Sequence, residues 1–363
     1  MAKETFDVIV VGAGPGGLAA AKKCAENGMK TLILEKRKLP REKVCSGMLF
    51  GAQAKALVEE EFGGLPEEIV IERLSGFVLW VPEAGKHKVA ADIPITWRKD
   101  LDYWLSRKAV EAGAEIREQT RVERVTTNSR GCSVKVAESG VERELEATYL
   151  VGADGCRSTT RRSLFPELKV RYSMAFRECY RGSLDLERGY CYIVFPNLQY
   201  RPNFWINPKG DCFTLEGATR ELKDSVRTIL CPYGFGEREL LWKDGCPGRA
   251  LLFEQLVSGN FTPAMQNCLL VGDAAGIKFP ISGEGINTAI KSGLVAAASI
   301  IKAAATGQAA CGIYLKELSS LVTTLNAFHT QLDRIASEIP KGPEAFLDAL
   351  SDAFTESMEK FIQ

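Results

Sequence analysis

Histidine is almost missing from this chain. His87 and His329 are the only two in 363 residues, too few for a histidine-rich metal centre and poor material for a Ser-His-Asp triad. Cysteine is plentiful at eleven but never clustered: even the nearest pair, Cys179 and Cys191, is twelve positions apart. That spacing excludes the CxxC pattern of zinc or iron–sulfur sites, and the odd count argues against a closed disulfide framework. A surplus of either charge is missing too, since 46 Lys and Arg balance 46 Asp and Glu. Without a positive field, no nucleic-acid partner is expected. No apolar run reads as the roughly 20 residues that cross a bilayer, and the first apolar stretch ends in glycines rather than at a cleavage site. The expectation is a cytoplasmic protein, monomeric, with peripheral membrane contact left open. Demanding chemistry then falls to a bound organic cofactor.

What is present begins at once. Phe6 to Val11 is a continuous apolar, β-branched run, as in a strand buried on both faces. Gly12, Gly14, Pro15 and Gly17 follow, then an alanine-rich helical stretch from Leu18 to Asn27 that Gly28 can end in a left-handed conformation. Met29 to Leu34 reads as a second strand with Glu35 at its tip, eighteen residues after Gly17. Gly12 allows the turn, Gly14 lets backbone approach a pyrophosphate, Gly17 lets helix and strand close up, and the helix N-terminus supplies amide donors. Glu35 suits a ribose diol and repels a 2′-phosphate, which disfavours NADP at this site. The unit alone leaves NAD and FAD both open.

Two later stretches bear on that choice. Tyr149-Leu150-Val151-Gly152-Ala153-Asp154-Gly155 and Cys268-Leu269-Leu270-Val271-Gly272-Asp273-Ala274 each place an aspartate at the end of a short apolar strand, where open α/β sheets bind ligands. With the first motif they resemble, in order and separation, the FAD-dependent oxidoreductases of the p-hydroxybenzoate hydroxylase fold. The resemblance implies FAD. It puts Asp154-Gly155 near the pyrophosphate, Asp273 on the ribityl region, and Arg98, ahead of Asp102-x-x-Leu105, on the phosphate and ribityl portion. Within that group the chain is most similar to the geranylgeranyl reductase branch, through Lys43-Val44-Cys45-Ser46-Gly47-Met48 and Pro280-Ile281-Ser282-Gly283-Glu284-Gly285-Ile286. Lys36, Ser46, Gly47, Asp102, Val122, Pro280 and Ile286 are expected as further cofactor contacts. The branch's Tyr-x-Trp-x-Phe-Pro segment survives only as Phe195-Pro196.

Gly283 to Gly285 should border the flavin ring, with the helix starting near Ile286 turning its positive end toward the ring edge. Cys45 is the candidate for holding or relaying a proton, with Lys43 and Arg41 as the neighbouring positive charge. Cys45, Gly283 and Gly285 are therefore the candidate catalytic positions.

The expected architecture is mixed α/β. A Rossmann-like FAD-binding domain (1–72, 93–164 and 250–305) holds an inserted antiparallel-sheet substrate domain (73–92 and 165–249), and 306–363 forms a helical C-terminus. Gly182–Gly189, Tyr190–Phe195, Tyr200–Trp205 and Cys212–Gly217 read as its short strands, and Ile313–Leu325 and Ala345–Ile362 as amphipathic helices. Tyr190, Tyr192, Phe195, Phe204 and Trp205 are the candidate lining of an apolar substrate pocket. The favoured activity is reduction of carbon–carbon double bonds of a prenyl or similar lipid, with electrons from an external donor, NAD(P)H or ferredoxin. An aromatic-ring monooxygenase using NAD(P)H and O2, a quinone reductase and a flavin-binding sensor stay open as alternatives.

Overall fold

The computed structural model describes residues 4–49, 51–196, 198, 204–217, 222–236 and 238–360. Strands β1–β15 and helices α1–α9 are numbered along the chain. Val8, Ile9, Val10 and Val11 are all β-branched and all buried in β1 (Glu4–Val11), as a central parallel strand requires. Helix α1 (Pro15–Glu26) follows, and β2 (Thr31–Leu34) pairs parallel with β1. Gly28 adopts φ 75° between them. On the other side of β1 lies β8 (Val141–Gly152), then β15 (Cys268–Leu270), both parallel to it. The edges are β5 (Glu115–Arg117) and β14 (Ala264–Met265), and β6 (Thr120–Asn128) and β7 (Gly131–Glu138) form an antiparallel extension onto β8. Val11 pairs with Gly152 and Gly152 with Leu270. The carboxyl ends of three parallel strands therefore meet at one edge, and their loops carry Gly12, Asp154 and Asp273.

The second sheet has the order β13-β9-β12-β11-β10-β3-β4. It comprises β3 (Val70–Val81), β4 (Gly85–Thr96), β9 (Arg171–Arg181), β10 (Tyr190–Val194), β11 (Phe204–Lys209), β12 (Cys212–Gly217) and β13 (Leu240–Leu251). Gly182–Gly189 is not a strand: both bounding glycines take left-handed backbone, φ 84° and 80°, and the segment bends between them. Of the expected Tyr200–Trp205 strand, residues 200–203 lie outside the described residues, and β11 starts at Phe204. The long edge pair β9 and β13 goes unread in the sequence because β13 contains Gly245, Pro247 and Gly248, residues that weaken a strand pattern and suit an edge.

Helices α2 (Gly51–Phe62), α3 (Arg98–Glu111), α4 (Thr159–Leu164) and α6 (Phe253–Val257) flank the first sheet and its junction with the second. Val226 and Leu230 of α5 (Leu222–Leu230) cover the apolar outer face of the second sheet. Helix α7 (Ile286–Thr306) is 21 residues long with mean hydropathy 1.3. By length and composition it could cross a membrane, contrary to the expectation that no segment could. In this fold it is a core helix crossing α1, where a Cβ on Gly293 would stand 2.1 Å from the carbonyl oxygen of Gly16. Beyond it, α8 (Ala310–Glu338) runs well past Leu325, and α9 (Pro343–Lys360) packs on β3 and β4.

Candidate active site

A cavity of about 1100 Å³ runs from the β1–α1 turn to the inner face of the second sheet. At its first end the chain is closed as tightly as backbone allows. A Cβ on Gly17 would lie 2.2 Å from Gly12 O, and one on Gly12 would lie 2.6 Å from Ala153 O. Gly14 has open space where its Cβ would stand, so an extended ligand can lie against bare backbone there. Glu35 is buried; Oε2 accepts from Ala13 N–H at 3.1 Å and is ion-paired with Arg41 Nε at 3.1 Å, and Oε1 accepts from Arg37 N–H at 2.9 Å. These bonds fix the carboxylate at the cavity wall. Gly12, Gly14, Pro15, Gly17, Glu35, Lys36 and Val122 all line this end, and the donor-rich turn with its adjacent acid fits the adenosine and pyrophosphate half of a dinucleotide.

The two aspartate loops follow. Asp154 and Gly155 line the cavity, but both carboxylate oxygens of Asp154 are taken within the chain: Ser158 Oγ donates to Oδ1, and the Thr159 and Thr160 amides donate to Oδ2 at 2.7 and 3.0 Å. Asp154 therefore organises its loop and the start of α4 rather than offering a free carboxylate. Buried Arg161 ties this loop to the next, donating to Cys156 O and, at 2.7 Å, to Ala274 O. Gly272 and Asp273 line the cavity in that second loop.

Pro280, Gly283, Gly285 and Ile286 line the cavity beyond Asp273. The first turn of α7 does not present its amides freely, as the sequence pattern suggests it should. Glu284, itself buried, accepts from Asn287 N–H at 2.7 Å, so a carboxyl already caps that helix. Burial pushes the Glu284 carboxyl above the usual carboxylate range, against the backbone amides that favour its anion. Glu284 Oε2, both side-chain polar atoms of Asn287 and Thr288 Oγ1 are buried without a partner, leaving hydrogen-bonding capacity at this turn.

Around Cys45 one of the two expected cations, Arg41, is engaged elsewhere, and residues that were not expected add positive charge. Arg41 is committed to Glu35, Asp102 and, at 2.8 Å, Ala13 O. Arg98 instead lies within electrostatic reach of Cys45. Burial opposes its charge, and Asp102 and Cys45 together outweigh burial and raise its pKa. Asp102, fully buried, grips Arg98 through two bonds of 2.9 Å and Arg41 through one of 3.0 Å. It does not line the cavity; it positions two arginines that do.

Two further cations reach this segment from the second sheet, and neither was legible as a site residue. Arg177, 2 % exposed, donates to Cys45 O at 2.9 Å and to both oxygens of Asp244 at 3.1 and 2.7 Å. Lys209, also 2 % exposed, donates to Ser46 O and, at 2.8 Å, to Thr96 O, and lies 4.5 Å over the Trp97 ring. Burial lowers its pKa to about 8. The Cys45–Ser46–Gly47 segment is thus clamped against the end of β4. Gly47 completes the clamp: its φ is 71°, and a Cβ there would stand 2.0 Å from Thr96 O, so it is a packing position rather than a cavity-lining one.

The candidate substrate aromatics divide between the two faces of the sheet. Trp205 lines the cavity. Phe204, its neighbour in β11, necessarily points the other way, into the outer cluster with Tyr192, Trp80 and Phe213. Tyr190 packs against that outer cluster with Lys88 over its ring, and Phe195 points inward but packs edge-to-face with Phe346 of α9. These four do not form the expected apolar lining. The cavity wall at this end is instead Trp205 with Glu216, Phe176, Asp244 and Cys246.

Comparison with known proteins agrees with this geometry. Residues 5–176 match the FAD binding domain family. The chain is 30% identical over 308 residues to the digeranylgeranylglycerophospholipid reductase of Methanocaldococcus jannaschii, covering 81% of this chain and 76% of that one. In three dimensions it resembles a geranylgeranyl bacteriochlorophyll reductase-like protein from Thermoplasma acidophilum, with TM-score 0.74, 21% identity, and coverage of 99% and 100% of the two chains. It also resembles aklavinone-11 hydroxylase, solved with FAD and aklavinone, with TM-score 0.63, 22% identity, and coverage of 84% and 63%. The cofactor is FAD, and the protein is an FAD-dependent oxidoreductase.

Proposed function

The chain belongs to the digeranylgeranylglycerophospholipid reductase family, and from that premise we propose that it reduces carbon–carbon double bonds of a prenyl lipid. Bound FAD, once reduced by an external donor such as NAD(P)H or ferredoxin, supplies hydride. The rest falls to the chain. The β1–α1 turn, Glu35 and the Asp154 and Asp273 loops hold the cofactor lengthwise. Arg98, kept in place by Asp102, holds its phosphate and ribityl portion, and the loop from Pro280 to Ile286 borders the ring. Cys45, clamped by Arg177 and Lys209, faces the same space.

The observation that carries the reading is the continuity of this one cavity from the nucleotide turn to Cys45 and the second sheet. It gives a cofactor and a second ligand room to meet away from bulk water. Met174, 41% exposed, lines the cavity from β9, paired with Pro247 of β13, an exposed apolar side chain suited to meet a lipid tail. The test is anaerobic: reduce the bound flavin with dithionite, then add a geranylgeranyl lipid, a quinone, or a phenol with O2. Reoxidation by the geranylgeranyl lipid on a catalytic timescale is the expected result. Reoxidation by the quinone or by O2 with the phenol alone overturns the proposal.

A further inference from the structure

One carboxyl on the inner face of the second sheet is used neither by the cofactor turn nor by the Cys45 clamp. Cross-strand register sets Trp205, Glu216, Arg177 and Asp244 side by side on β11, β12, β9 and β13. Trp205, Glu216 and Asp244 line the cavity. Asp244 is held by two bonds from Arg177. Among the described residues, Glu216 accepts only from the neutral Thr214 hydroxyl, at 3.2 Å, which is itself backed by Asn207 Nδ2 at 3.5 Å. Arg177 on β9 and Lys209 on β11 lie within electrostatic reach of both Glu216 and Cys45.

These neighbours act on Glu216 in opposite senses. Burial pushes its carboxyl above the usual carboxylate range and Asp244 adds to the shift, while Arg177, Lys209 and the Thr214 bond work against it. The group therefore retains its proton more readily than a surface acid does, yet its anion would meet two cations. A general acid needs both properties.

We propose that Glu216 supplies the proton that completes reduction of the substrate double bond. This rests on the reductase reading above. Hydride from the reduced flavin forms a C–H bond at one alkene carbon. The π electron pair then takes the Glu216 proton at the other carbon, the carboxyl O–H bond breaks, and water reprotonates the carboxylate. Thr214 and Asn207 position the acid, and Arg177 and Lys209 stabilise the anion it becomes.

The test uses the FAD-loaded full chain as wild type, Glu216→Gln, Glu216→Asp and Cys45→Ser. Infrared difference spectra over a pH titration should show a protonated-carboxyl band, titrating above the ordinary carboxylate range, that Glu216→Gln lacks. Dithionite-reduced enzyme is then reoxidised by geranylgeranyl phosphate in single turnovers. The wild-type rate should fall as pH rises through the Glu216 titration. Glu216→Gln should lose about a hundredfold in rate and lose that pH dependence, and Glu216→Asp should keep the dependence at a reduced rate. A Glu216→Gln enzyme with the wild-type rate and profile overturns the proposal, as does absence of the carboxyl band. The same loss appearing in Cys45→Ser instead moves the proton to Cys45 and equally overturns it. A wild type that geranylgeranyl phosphate fails to reoxidise overturns the reductase reading, and this role with it.

Discussion

Replacing Lys209 with Met should remove a component of stability that can be separated by pH. The ammonium is 2 % exposed, bonded to Ser46 O and Thr96 O, and its pKa falls from 10.5 to about 8 because burial disfavours the charge. Between those values the unfolded chain binds a proton that the folded chain has released, so folding stability rises with pH across the window. The Lys209 contribution is fully present above the unfolded value and is lost as pH falls through the folded one. Each tenfold difference in proton affinity between the folded and unfolded chain is worth about 1.4 kcal/mol, so the wild type should gain roughly 3 kcal/mol between pH 8 and 10.5. Lys209→Met cannot show that gain. Urea unfolding of both proteins at intervals across the window measures it, because the other titrating groups are common to both and cancel in the difference. The methionine also leaves the Ser46 and Thr96 carbonyls without their cation, which should loosen the segment and speed alkylation of Cys45 by iodoacetamide. Stability curves that stay parallel from pH 8 to 10.5 would refute the argument.

Gly17→Ala should abolish FAD retention, because its Cβ would meet Gly12 O at 2.2 Å and Ala153 Cβ at 2.9 Å; flavin absorbance per mole of purified protein checks it. Asp102→Asn should cost about 3–5 kcal/mol in unfolding free energy, since it leaves Arg98 and Arg41 buried without their shared anion, and FAD affinity should fall with it in a fluorescence titration. Gly293→Ala should lower stability by about 1–3 kcal/mol through overpacking against Gly16 O; a calorimetric scan reads the loss, and weaker FAD binding should accompany it because Gly16 belongs to the nucleotide turn. Tyr192→Phe removes only a bond to Glu187 O on the outer face of the sheet, so substrate KM should stay unchanged, whereas Trp205→Ala should raise it.

The cofactor half of the site was legible because its signals are local. Gly12, Gly14, Gly17 and Glu35 sit within one βαβ unit, and each answers to a backbone distance or a carboxylate position that the unit itself sets. The substrate half was not. Arg177, Glu216 and Asp244 lie far apart in sequence and become neighbours only when β9, β12 and β13 pair in a particular register, and register slips by one residue exchange the two faces of a sheet. One constraint on the aromatics was nevertheless available in the sequence. Phe204 and Trp205 are adjacent, so on one strand they cannot both face one pocket, and the choice between them decides Tyr192 as well, because Tyr192 pairs with Ile206 and shares the Phe204 face. Once Trp205 faces inward, alternation brings Asn207 and Lys209 inward with it, and pairing with β12 brings Thr214 and Glu216. On β11 and β12 the inner face is then polar, whereas β3 and β10 keep Phe77, Leu79 and Ile193 on that side, and the outer face is closed by Val226, Leu230 and Phe235. Burying this polar patch bears the desolvation cost of Lys209, Arg177 and Glu216. The opposite register would have turned those charges into the apolar cluster under α5, away from the cavity, so their place beside the cavity is what the proposed proton-donor role requires.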